Sequence, residues 1–104
     1  MKQRIKIPRE TSIGAYPYKL VYTENKLADT NNLGTTSTTR LTIDIEPNMH
    51  DRVKAVTLWH EYLEGINDVS RLGLECKDMD CIAHGIVQIL MDSWKLEFDW
   101  SDIT

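Results

Sequence analysis

A small α+β fold, with a short antiparallel sheet followed by two packed helices, is what these 104 residues predict. Three observations carry the prediction. Apolar and polar residues alternate through much of the first half. From about Asp51 the apolar spacing turns helical. Strands and helices do not alternate along the chain, which argues against a parallel βαβ organisation.

Residues 4–7 alternate over a short span, and Pro8 ends the strand. Residues 18–23 alternate weakly in β-forming side chains. Residues 24–37 are polar and rich in Asn, Thr and Gly, which suits a loop or wide hairpin connection with Gly34 as its turn residue. Residues 40–46 form the clearest strand: Leu41, Ile43 and Ile45 share one face, and Pro47 stops it. In the first helix Val53, Val56, Leu63 and Ile66 fall near one stripe, joined by Trp59, and the pattern breaks at Asn67 and Asp68 after Gly65. His60 lies beside that stripe, so its ring starts inside the fold or along a cleft. A second helix is expected from Asp78, as N-cap, toward Leu96, burying Ile82, Ile86, Ile89, Leu90 and Trp94.

The length suits a single domain spanning 1–104 with a modest core. A hydrophobic fraction of 41% is ordinary for a globular fold, and a net charge of −4 argues against a broad nucleic-acid-binding surface. Lys2, Arg4, Lys6 and Arg9 make the N-terminus locally basic, in the manner of a solvated strand edge. No apolar run is long enough to cross a membrane, and residues 1–10 lack a signal-peptide core, so a cytoplasmic location is expected. Cys76 and Cys81 are too few for a disulfide scaffold and too loosely spaced for a paired zinc-binding motif. Free thiols packed against the core in a reducing compartment are expected.

The run His60-Glu61-Tyr62-Leu63-Glu64 carries the chemistry. It differs by one residue from the zinc-peptidase signature H-E-x-x-H. Residues i and i+4 share a helix face, so His60 and Glu64 can grip one ion, while Glu61 reaches a water as general base. Asp80 and His84 are again four apart on the second helix. With the helices antiparallel, His60, Glu64 and His84 form a set of metal ligands, and Asp80 either ligates or orients a histidine ring. The plain alternative is a half-buried histidine among surface carboxylates, with Asp80 and His84 as a helical pair.

The segment 41–90 resembles the minimal zincin-type metallopeptidases, most closely the small phage and prophage proteins of the ImmA/IrrE-like group. The matching parts are the alternating strand Leu41-Thr42-Ile43-Asp44-Ile45, the helix around His60-Glu61-Tyr62-Leu63-Glu64, and the later run Asp80-Cys81-Ile82-Ala83-His84-Gly85. That resemblance implies His60 as the first ligand, Glu61 as the catalytic base and Asp80 at the acidic third-ligand position. Glu64 stands where the family has its second histidine, and His84 where it usually has Asn, which suggests that one histidine replaces the other.

The implied activity is a metal-dependent peptidase acting on a peptide or protein substrate. Zn²⁺ is the expected metal, and the mixed carboxylate and imidazole donors also suit Mn²⁺ or Fe²⁺. The strand at 41–46 is the expected platform for an extended peptide. Two other classes remain: a catalytically inactive zincin-like module that binds protein through Trp94, Phe98 and Trp100, and a structural helix pair with no site.

Overall fold

The computed structural model describes residues 3–24 and 33–104. Strand β1 is Gln3–Lys6, β2 is Glu10–Ile13 and β3 is Tyr16–Tyr22, and Gly14, at φ 64°, turns the chain from β2 into β3. The β2–β3 hairpin is antiparallel, and only a residue without a side chain fits its turn comfortably, because a Cβ on Gly14 would meet Val69 Cγ1 at 2.7 Å. Strand β4, Gly34–Ser37, and strand β5, Thr42–Ile45, form a second antiparallel hairpin.

The sheet order is β2-β3-β5-β4. Its central pair, β3 and β5, is parallel, so the sheet is mixed where an antiparallel one was expected. The cause is topological: the returning strand of the second hairpin lies beside β3, and its outgoing strand takes the edge. Gly34 therefore opens a strand and is not a turn residue; residues 25–32 of the expected loop lie outside the described residues.

Helix α1, Asp51–Ser70, packs on this sheet, and helix α2, Cys76–Gln88, packs on α1. The α+β class, with a small sheet and two packed helices, is what the structure has. His50 Nδ1 accepts from the Arg52 N–H at 3.3 Å and starts α1. At its end Arg71 takes a left-handed conformation, and the Asn67 amide both donates to Leu74 O (3.3 Å) and accepts from Leu74 N (2.9 Å). Asn67 thus organises the connection to α2 without ending the helix. Asp78 is not the N-cap of α2; Glu75 is, and its N–H donates to the Asp78 carboxylate at 3.1 Å in a capping box.

Neither helix buries its expected stripe as a whole, although Val56 and Trp59 of α1 do pack against the core. In α1 the inward residues include Ala55, Leu58, Tyr62 and Gly65, whereas Val53 and Ile66 are exposed. This helix is covered by the sheet on one side and α2 on another, so its buried arc is too wide for one apolar stripe. In α2 the buried residues are Met79, Ala83 and Val87, spaced four apart, and Ile82, Ile89 and Trp94 are exposed. The helix also stops sooner than expected. A π-helical turn, Ile89–Ser93, follows it, and the chain then forms β6, Leu96–Asp99, which pairs in parallel with β1. Tyr18, Ile43, Ile45, Leu58 and Val87 are the most completely buried large side chains, joining sheet and helices in one cluster. Among the described residues, no helix is long and apolar enough to cross a membrane.

Candidate metal centre

Two helical turns of α1 present His60, Glu61 and Glu64 to a cavity of about 860 Å³, bounded by β4 and by the start of α2. One donor atom from each of these three residues lies within 4.8 Å of the others. The i,i+4 geometry brings Glu64 Oε2 to 3.8 Å from His60 Nε2. The helix thus places both side chains on one face, as the spacing requires.

The His60 ring is largely enclosed, with 12% of its side chain exposed, and its two nitrogens have different neighbours. Nδ1 is 2.7 Å from Asp80 Oδ1 on α2. The carboxylate lies out of line with the ring N–H, so the contact is a close charge approach and not an aligned hydrogen bond. Nε2 points to Glu64 and also to Cys76 Sγ, at 3.8 Å. Asp80 therefore sits behind the histidine, the position from which carboxylates orient metal-binding imidazoles.

Glu61 is buried, with 4% exposure, beneath β4. Thr36 Oγ1 lies 2.8 Å from its Oε1 and 3.0 Å from its backbone oxygen, and donates toward both. Strand and helix approach so closely here that a Cβ on Gly34 would stand 2.9 Å from Thr57 Cγ2 and 3.1 Å from Glu61 Oε2. The bare backbone of Gly34 is what lets β4 cover this carboxylate. Tyr62, next along the helix, turns the other way: its hydroxyl is 3.1 Å from Thr11 Oγ1 on β2. Burial raises the Tyr62 pKa, partly offset by the Thr11 bond, and the phenol takes no place in the cavity.

His84 also lines the cavity, but it is exposed and stands outside the group of converging donors. The replacement of a lost α1 histidine by His84 is therefore not what the fold brings together. Cys76 was expected among core residues and is instead an exposed free thiol at the cavity margin; Cys81 is also free and exposed. Burial of the sulfur pushes the Cys76 thiol pKa up, and the Asp80, Glu64 and Glu61 carboxylates push it further. A raised pKa is the opposite of the shift that activates a cysteine nucleophile. No local sequence signal marked Cys76, because its place at the cavity comes from the approach of α2 to α1.

A cavity lined by His50, His60 and His84, by the carboxylates of Glu61, Glu64 and Asp80 and by the Cys76 thiol has donors of the kinds that bind divalent transition metals. Leu33 and the β4 residues Gly34, Thr35 and Thr36 run along it. The expected peptide platform, β5, is an interior strand with β3 on one side and β4 on the other. No family model matches this chain, and no curated protein or solved structure matches it either.

Proposed function

We propose that this chain is a metal-dependent peptidase with a zincin-like arrangement and a variant H-E-x-x-E motif. The observation that carries the reading is the convergence of His60, Glu61 and Glu64 donors within 4.8 Å in one cavity. His60 and Glu64 would hold the ion, with Asp80 steadying the histidine ring from behind. A bound divalent ion would supply Lewis acidity toward the scissile carbonyl and toward water.

Glu61 is suited to take a proton from the attacking water and return it to the leaving amine. Thr36 holds its carboxylate in position at 2.8 Å. A peptide lying in the cavity would run beside residues 33–36, so β4 replaces β5 as the strand that orients it. The metal-free, protein-binding reading has one observation in its favour: Ile89, 52% exposed, and Trp94, 65% exposed, lie in and just after the π-helical turn that follows α2. Of the three aromatic residues named for that role, Trp100 is buried and Phe98 packs edge-on against it at 6.3 Å.

The test is peptide hydrolysis by metal-loaded protein and by its Glu61→Gln variant. The variant is expected to retain its metal and to lose about 10²–10⁴-fold in rate, the usual worth of a general base. Equal hydrolysis by both proteins would remove Glu61 from the mechanism. No metal uptake by the folded chain would favour the protein-binding reading.

A further inference from the structure

The Nε2 nitrogen of His60 faces two donors. Glu64 Oε2 and the Sγ of Cys76, the first residue of α2, each lie 3.8 Å from it. Ordinary tetrahedral zinc bond lengths place nitrogen and oxygen ligands about 3.4 Å apart, and nitrogen and thiolate sulfur about 3.6 Å apart. Both separations here slightly exceed those edges. Cys76 Sγ lies outside the group of donors that stand within 4.8 Å of one another, so closing such a shell takes side-chain rotations that bring Cys76 and Glu64 together on the Nε2 side of the enclosed His60 ring.

The other neighbours are already engaged elsewhere. Asp80 lies against the opposite ring nitrogen, Glu61 is held beneath β4 by Thr36, and His84 is an exposed side chain of α2, whereas Cys76 Sγ touches the His60 ring. We propose that Cys76 is the third protein ligand, completing a His60–Glu64–Cys76 set that leaves the fourth position of a zinc ion open. This assignment rests on the reading of the cavity as a metal centre.

Binding releases the thiol proton to solvent, and the resulting thiolate and the Glu64 carboxylate together balance a divalent charge. A thiolate in the set narrows the choice of metal: Zn²⁺ or Co²⁺ is favoured, and Mn²⁺ and Fe²⁺, which prefer harder donors, are disfavoured.

Cobalt titration of the metal-free, folded chain tests this without reference to activity. One equivalent of Co²⁺ should produce a near-ultraviolet thiolate-to-cobalt charge-transfer band that Zn²⁺ abolishes by displacement. Cys81→Ser should keep the band and Cys76→Ser should lose it. Cys76→Ser should also weaken Zn²⁺ binding by more than the roughly 10–100-fold that residues behind the ligands are worth. If Cys76→Ser folds poorly, the band in the unaltered chain and its survival in Cys81→Ser decide the assignment. Cobalt bound in a His60-dependent way without that band, or a band lost in Cys81→Ser, overturns the role of Cys76 and leaves the metal centre standing. No binding of either metal overturns both.

Discussion

His60 connects the two helices through opposite edges of one ring, and that division sets what each neighbour does. Asp80 approaches Nδ1 at 2.7 Å, which in a metal centre would let it orient the imidazole from behind. In Asp80→Asn, Zn²⁺ affinity is expected to fall about 10–100-fold, read by competition with a chromophoric chelator. The folded state should change little, since 61% of the Asp80 side chain is exposed. An unchanged affinity would mean that the ring is held by its packing alone. The two candidate roles on α1 also differ in setting: Glu64 reaches the cavity with 37% of its side chain exposed, whereas Glu61 is enclosed beneath β4. Sequence spacing distinguishes a ligand from a base by angle around the helix, and burial under Gly34 and Thr36 adds the distinction in environment.

Each helix shows why its apolar residues were a poor guide to its buried face. Met79, Ala83 and Val87 form the inner row of α2, although Ile82 and Ile89 are more hydrophobic than Ala83. Met79→Ala should cost about 2–5 kcal/mol in urea denaturation. Ile82→Ala, at a site 40% exposed, should cost under about 1 kcal/mol. The reverse ranking would restore the isoleucine stripe as the packed face. Strands β2, β4 and β6 were not foreseen. For β2 a signal existed in Gly14-Ala15, a two-residue hairpin turn between short apolar-flanked runs. For β6 the alternation of residues 96–99 was readable, but it follows directly on a helical pattern, and the π-helical turn that separates them leaves no clear mark. Strand β5 was legible because Ile43 and Ile45 alternate with polar residues and Pro47 follows.

At the scale of the molecule, the two ends of the chain are joined. β1 and β6 pair in parallel, and the Tyr22 N–H donates to Thr104 O at 3.1 Å. The basic N-terminal residues meet acidic groups there: Lys6 pairs with Asp102 at 3.4 Å, Arg4 with Asp99 at 3.8 Å, and Arg9 Nε donates to Asp102 O at 2.7 Å. Lys2 lies outside the described residues. These exposed ion pairs contribute little individually, and backbone pairing carries the closure. The Asp99 carboxyl is held below its ordinary pKa, chiefly by hydrogen bonds from Ser101 and then by the charges of Arg4 and Lys6. A depressed folded-state pKa adds stability above the unfolded value, near 4, and that stability is lost as pH falls through the folded value. Stability should therefore decline on acidification below about pH 4. In Asp99→Asn that part of the decline should be absent, as measured by thermal unfolding across a pH series. An unchanged acid limb would remove Asp99 from the linkage.

The sequence by itself determined the α+β class, the central strand and the first helix, and the shared helix face of His60 and Glu64. Each of these follows from local backbone geometry, which repeats every two residues in a strand and every 3.6 in a helix. Only the tertiary structure decided which helix faces are buried, that β4 and not β5 borders the cavity, and that Asp80 and Cys76 approach opposite edges of the His60 ring while His84 does not. Those relations depend on how α2 is rotated and placed against α1 and on the order of strands in the sheet. A local pattern records the period of an element, but contacts between distant residues arise only when its faces find their partners.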